Sequence, residues 1–345
     1  MNRKIWKALG IAVCMLALAA PRAMAETNSH YVSDGRSFKK AIETINNSSD
    51  DNENEIILTS GFTLEGDTTE YTLRRGTTTI KGEGNTITVN PGAGITVTGE
   101  RTVLNLGAEG YAEKLTIDGN AKGAFITVSG GATAHMYENV TLQNRQQVDQ
   151  ACVVLEENSV FNMHGGVIQN CKGKYGGVSL KNGSRFIMEG GTISGCSASE
   201  GGGLYATNQS TITISGGTIK GNKAAYGGGV ALNSSTINNP IKNWKVIGNE
   251  AYKLDSSIGG IGGGIYLTNG SMNVSAGSNK IYNNTADIHG ADICLEKDAS
   301  ITLPDAANMG ATYLNSGINI DNWYNDNPRP VSYTHLRAHE TPEHL

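Results

Sequence analysis

The sequence predicts an all-β solenoid, a single parallel β-helix of about 25 residues per turn with a short capping helix at its start. Three observations carry this prediction. One apolar column, Ile117, Leu142, Ile168, Ile193, Ile219 and Val246, advances in steps of 25, 26, 25, 26 and 27 residues, and Ile281 follows 35 later. Within each segment apolar residues stand two apart, as in Val178-x-Leu180 and Val230-x-Leu232, the period of a strand with one buried face. Glycine supplies 45 of the 345 residues and falls in pairs and triplets at fixed places, such as Gly176-Gly177, Gly201 to Gly203 and Gly227 to Gly229. No unit of this size buries its apolar face alone, so the stacked array is the folding unit.

The elements follow in chain order. Residues 1–25 have the form of an export signal: MNRKIWK supplies positive charge, ALGIAVCMLALAA the apolar stretch, and AMA ending at Ala25 a small-x-small cleavage site. The expected product is cleaved after Ala25, is secreted or held at the cell surface, and has no transmembrane segment in its mature form. Residues 26–54 read as an N-terminal cap. In SFKKAIETIN, Phe38, Ala41, Ile42 and Ile45 share one helical face and Ser37 is the expected N-cap. A helix there covers strand edges that would otherwise be bare. Residues 55–304 are the β-helix, with less regular strands first (EIILTS, TTTIKG, NTITVN, GITVTG) and regular turns from about 110 onward. Residues 305–329 read as a truncated C-terminal segment. Residues 330–345, PVSYTHLRAHETPEHL, follow neither period and resemble a conceptual translation of sequencing-adapter sequence. They are expected to be a non-native tail, and His335, His339 and His344 within it are not expected to form a metal site.

Three residues after each member of the apolar column stand Asn120, Arg145, Cys171, Cys196, Asn222, Asn249 and Asn284. The asparagines are expected to form an inward ladder whose stacked amides satisfy buried turn backbone. Cys171 and Cys196 replace them as small buried groups. These two fall on adjacent turns, about 4.8 Å apart, within disulfide range, but their parallel Cβ vectors favour free thiols. The glycine groups mark corners, where positive φ or close backbone approach is needed.

Chemistry on the outer face is sparse. The outward column beside the apolar ladder reads Asp118, Gln143, Gln169, Ser194, Lys220, Ile247 and Tyr282, with one acid. The outward position of the Val-x-Leu strand reads Val154, Ser179, Tyr205, Ala231, Tyr266 and Cys294, with none. A glycosidase needs two carboxylates about 5 to 10 Å apart. His164 and Glu189 are one turn apart and read as a solvated surface pair. No catalytic residue, metal or cofactor is therefore assigned. The candidate binding residues are Tyr205 and Tyr266, outward rings able to stack on sugars, and Asp255 in the excursion YKLDSSIGG. There the path from ladder residue to glycine corner takes 13 residues (249 to 262) in place of five. A net charge of −5 without a sustained basic patch argues against nucleic acid as a partner.

The stretches GGVI at 165, GGLY at 202, GGVA at 228 and GGIY at 263 resemble the repeats of chlamydial polymorphic outer-membrane proteins, which are autotransporter adhesins. The companion Phe-x-x-Asn motif of that family appears here as IKGN, VIGN and IYNN, with Ile or Val for Phe. More broadly, residues 110–304 resemble pectate-lyase-like β-helix surface proteins of bacteria. The resemblance implies a right-handed parallel β-helix and a non-catalytic role as an adhesin-like passenger or rigid scaffold, with host or bacterial surface glycans or proteins as partners. The alternative reading is a polysaccharide lyase or glycoside hydrolase acting on an outer face. The paired-Asp and Gly-His-Gly motifs of polygalacturonases and the Arg-x-Pro-x-x-Arg motif of pectate lyases are absent.

Overall fold

The computed structural model describes residues 27–302 except 49–52, 67, 120–122, 147–149, 240–243, 255–257 and 275–279, together with the backbone strands Asn319–Ile320 and Trp323–Asn325. The expected export signal (1–25), Asn120, Asp255 and residues 330–345 lie outside the described residues, as does 305–329 apart from those two strands.

Three parallel sheets run along the chain's axis. The first has eleven strands, from Asn28–Val32 to Ser300–Thr302. The second has ten, from Phe62–Leu64 to Asn319–Ile320, and the third ten, from Thr72–Leu73 to Trp323–Asn325. One turn takes about 26 residues. It visits first, second and third sheet in that order, as in Arg185–Met188, Thr192–Ser194 and Leu204–Thr207. Leu142 pairs with Ile117 and Ile168, and the same ladder continues through Ile193, Ile219, Val246 and Ile281. The apolar column of the sequence is thus one interior ladder. Its members are 2 % exposed or less, and each fully buried aliphatic side chain stabilises the coil by roughly 1.5–3 kcal/mol.

Regular stacking begins earlier than residue 110. Asn28–Val32 pairs in register with Glu53–Leu58, which pairs with Thr77–Lys81. The period is obscured there because Ile87 pairs with Ile117, a step of 30 (117 − 87) rather than about 26. Longer connections between strands shift the sequence spacing and leave the sheets intact.

The capping helix α1 spans Gly35–Asn47 and buries Phe38, Ala41, Ile42 and Ile45. Phe38 packs against Phe62 and Tyr71, with ring centroids 5.6 and 6.0 Å away. Its N-cap is Asp34, not Ser37. The Asp34 carboxylate accepts from Ser37 N–H at 2.7 Å, and the Ser37 hydroxyl accepts from Asp34 N–H at 3.1 Å. Ser37 is the third-residue partner of a capping box, a place a short hydroxyl fills as readily as the cap itself.

Asn222, Asn249 and Asn284 of the ladder column point inward and are buried. Asn222 N–H donates to Asn249 Oδ1 at 3.0 Å, and Asn249 N–H donates to Asn284 Oδ1 at 2.9 Å. Their amide groups also donate backward, Asn222 to Ile193 O and Asn249 to Ile219 O, both at 3.1 Å. Asp292 closes the row: its Oδ1 accepts from Asn284 N–H at 3.2 Å and from Asn284 Nδ2 at 2.7 Å. Toward the N-terminus the row continues as Cys196, whose N–H donates to Asn222 Oδ1 at 2.9 Å, then Cys171 and Arg145. Both thiols are fully buried and unbonded to each other, as is nearby Cys152. Arg145 is buried too, its guanidinium donating to Gly123 O and Lys172 O at 2.7 Å each.

This ladder explains the third glycine of each triplet. A Cβ on Gly229 would lie 3.0 Å from Asn249 Nδ2 and 2.5 Å from Gly264 O, so the ladder amide already fills the space. The first glycine answers a different need. Gly227 has φ +65°, and a Cβ there would meet Val230 O at 2.2 Å. It folds the preceding segment back over the outer face of the third sheet, where the candidate site lies.

Candidate functional site

A fourth, four-stranded sheet of short strands, Ser197–Glu200, Lys223–Tyr226, Glu250–Ala251 and Thr285–Ala286, overhangs the third sheet. It carries Tyr226, and Tyr175 continues its line through a bridge to Glu200. Both rings come to rest on the outward column Val154, Ser179, Tyr205, Ala231, Tyr266 and Cys294. Tyr175 stacks on Tyr205 at 4.1 Å with the rings 12° apart, and Tyr226 tilts against Tyr266 at 5.4 Å.

The two tyrosines expected to be open platforms are therefore covered. Tyr205 is only 7 % exposed. Tyr266 is half-buried and its hydroxyl donates to Glu296 at 2.7 Å. Burial pushes both phenols above their ordinary range, with Glu200 adding to the effect at Tyr205 and the Glu296 hydrogen bond at Tyr266. They stand two turns apart with Ala231 between them, and so belong to separate rings of contacts. The strand alternation correctly turns them outward, but it says nothing of the overhang that covers them.

Beside the Tyr175–Tyr205 stack lies a hollow of about 120 Å³. Its cause is one small residue. Along the outward column Ser179 stands between Val154 and Tyr205, and Tyr175 spans the gap above it. Gln150, Glu156, Lys181 and Thr207 complete the lining. Glu156 and Lys181 pair with each other at 2.6 Å.

A second cluster sits where the first sheet ends. His164 Nδ1 is 2.7 Å from Glu189 Oε2, and its Nε2 is 2.9 Å from His135 Nδ1. A carboxylate accepts, so a neutral His164 donates through Nδ1 and accepts at Nε2, and His135 then donates through Nδ1. Tyr137 stacks on His164 at 4.9 Å. Burial, then the neighbouring His164, hold His135 below the ordinary imidazole range. The pair read as a solvated couple is thus part of a hydrogen-bonded chain of three, Glu189, His164 and His135, with Tyr137 stacked beside it. A third feature is a shallow trench of about 490 Å³ on the second sheet, between Ser194, Lys220, Ile247 and Tyr282 and floored by Gly221 and Gly248.

Tyr175, Tyr226, His135, Tyr137 and Asp292 are absent from the sequence assignment. Tyr175 and Tyr226 had a signal: each immediately precedes a glycine corner, in KYGGV and AYGGG. Asp292 had one too, since it occupies the column of Gly177, Gly203, Gly229 and Gly264. Asp118, one of the few outward acids, is consumed locally, accepting from Gln143 Nε2 at 2.7 Å and Asn144 Nδ2 at 3.1 Å. Among the described residues no group of three His, Cys, Asp or Glu side chains could hold a metal ion, and no helix is long and apolar enough to cross a membrane.

Three parallel sheets, one strand of each per turn, and an interior polar ladder define the class: a parallel β-solenoid of about ten turns. The chain belongs to the right-handed β-helix family, whose description, right handed beta helix region, matches residues 103–305, more than half of the chain. No curated protein and no solved structure matches it.

Proposed function

We propose that the protein is an exported bacterial surface or secreted scaffold, an adhesin-like passenger that binds surface glycans or proteins along the overhung face of its third sheet without catalysis. The observation that carries this reading is the overhang itself. It places one side chain per turn, Tyr175, Glu200, Tyr226, Ile261 and His289, beside an outward strand face. A repeated, rigidly spaced edge of mixed aromatic and polar character suits weak multivalent contact better than a single reaction centre. The form of residues 1–25 supports export. The test expresses the full chain in a bacterial host. The mature N-terminus and surface accessibility to protease are read first, and adhesion of the purified protein to cells and glycan arrays second. Retention inside the cell with the leader attached would sink the reading.

The alternative, a polysaccharide lyase or hydrolase, is favoured by one observation, the relay from Glu189 through His164 to His135. A hydrogen-bonded chain of this kind offers a path for a proton between a carboxylate and an imidazole, the arrangement general acid–base catalysis uses. Mass spectrometry of polygalacturonate and neutral glycans after incubation decides between the two: cleavage that disappears in His164→Ala establishes the enzyme.

A further inference from the structure

Charge is divided unevenly along the coil. Residues 26–160 hold 19 acidic and 10 basic residues, whereas residues 161–304 hold 8 acidic and 11 basic. The outer face of the second sheet carries this division. Toward its end Lys220, Lys245 and Lys280 point outward from Gly217–Lys220, Trp244–Ile247 and Lys280–Tyr282. Lys245 and Lys280 are register partners on neighbouring strands, and like charges so placed repel. None of the three lysines has an ion-pair partner among the described residues. Toward the start of the same sheet the sign reverses. Asp118 faces outward on Leu115–Asp118, and Glu83, Glu113 and Glu138 are exposed in the corners that lead into Thr86–Val89, Leu115–Asp118 and Val140–Gln143. Among the described residues of these corners only Lys114 offsets them. The two middle strands, Val167–Gln169 and Thr192–Ser194, are uncharged.

An acidic end, an uncharged middle and a basic end make this face complementary to itself in reverse. We propose that two copies of this chain associate antiparallel through the outer faces of their second sheets. The two-fold axis runs along the strands, between Val167–Gln169 and Thr192–Ser194, which are also the middle of the ten-stranded sheet. Turned about it, the second copy lays its Leu115–Asp118 over Trp244–Ile247 and its Thr86–Val89 over Lys280–Tyr282. Lys245 then faces the second copy's Glu113, and Lys280 its Glu83. Each contact recurs by symmetry, as in any isologous pair. An anionic polymer laid along the face would meet the lysines at one end and be repelled at the other, so the charge pattern selects a second copy. Eight strands about 4.8 Å apart and about 13 Å long give a footprint of roughly 450 Å² per copy, below the roughly 800 Å² of a standard interface. The pair is therefore weak, reversible and dependent on its charges. It leaves the overhung third-sheet face uncovered and stands whether or not that face binds a partner.

Analytical ultracentrifugation of the purified full chain tests the pairing. The expected result is a monomer–dimer equilibrium with a dissociation constant of about 1 μM or weaker. That constant should rise at least tenfold between roughly 0.01 and 0.15 M salt, over which the screening length falls from about 30 to about 8 Å. Lys245→Glu and Glu113→Lys each set like charges face to face, so each variant alone should self-associate at least tenfold more weakly than the parent. Mixed in equal amounts, the two variants should pair with each other about as well as the parent does, because both symmetry-related contacts are then opposite in sign. Both positions are exposed, and thermal unfolding checks that each variant is folded. A parent chain that stays monomeric at low salt would overturn the proposal. So would single variants that dimerise like the parent, or a mixture that pairs no better than its components.

Discussion

Asn249 shows how one side chain holds two turns together. It accepts from the backbone of Asn222 at 3.0 Å and donates to Ile219 O at 3.1 Å and Asn284 Oδ1 at 2.9 Å, at 1 % exposure. Asn249→Ala strips partners from a buried N–H and a buried carbonyl, each costing about 1–3 kcal/mol. The expected loss is about 3 kcal/mol, read as a lower denaturant midpoint, while a surface change such as Lys245→Ala stays within about 0.5 kcal/mol. His135 supplies a second residue-scale prediction. Its native pKa is lowered, chiefly by burial. The unfolded chain therefore binds a proton near pH 6.5 where the folded chain does not. Stability is full above that pH and falls as the pH drops toward the lowered native value. Thermal midpoints measured between about pH 5 and 7 should decline in the parent chain and decline less in His135→Gln. An equal slope in both would exclude His135 as the cause.

At the scale of the element, glycines of the same composition do different work, and one substitution separates them. Gly229→Ala drives a methyl to within 2.5 Å of Gly264 O and 2.9 Å of Val246 Cγ1, neither of which can yield without moving a strand. A loss of about 3 kcal/mol or more is expected, or failure to fold. Gly248 has φ +62° but nothing within 4 Å of its would-be Cβ. Asn283 holds the same conformation, φ +55°, one turn on. Gly248→Asn should therefore keep the unfolding midpoint within about 0.5 kcal/mol of the parent. The sequence displays these glycine columns plainly, because period-2 strands and a near-constant turn length put equivalent residues in register. It does not display the overhang. Ser197–Glu200 and Lys223–Tyr226 are short, and the one apolar column they share is slight: Ala198, Ala224, Ala251 and Ala286 stand in register, the first three buried, a mark of single methyl groups that does not announce a sheet. The same limit hides the stack of Tyr175 on Tyr205, which joins residues from two different columns, and the contact of His135 with His164. Those histidines are 29 residues apart, off the period of the ladders.

At the scale of the molecule, a solenoid's stability is a sum over turns and their interfaces, so its interior reports on the opening of particular turns. Three thiols make this measurable. Cys152, Cys171 and Cys196 lie on successive turns inside the coil, all buried and free. Burial pushes the Cys171 thiol well up, and contact with Cys171, then burial, does the same to Cys196. Thiolate is the reactive form, so neither should be alkylated while its turn is closed. Cys294 is equally buried but faces outward on the third sheet, beneath side chains rather than within the core. Lifting those side chains exposes it without parting any strands. In graded denaturant, alkylation resolved by peptide mass spectrometry should therefore label Cys294 first. Cys152, Cys171 and Cys196 should then follow together, at a denaturant concentration that Asn249→Ala lowers. Complete unfolding without reductant should yield all four of these thiols. Recovering only two would show that a disulfide joins members of the interior row, and labelling of the three at separate midpoints would show that adjacent turns open independently.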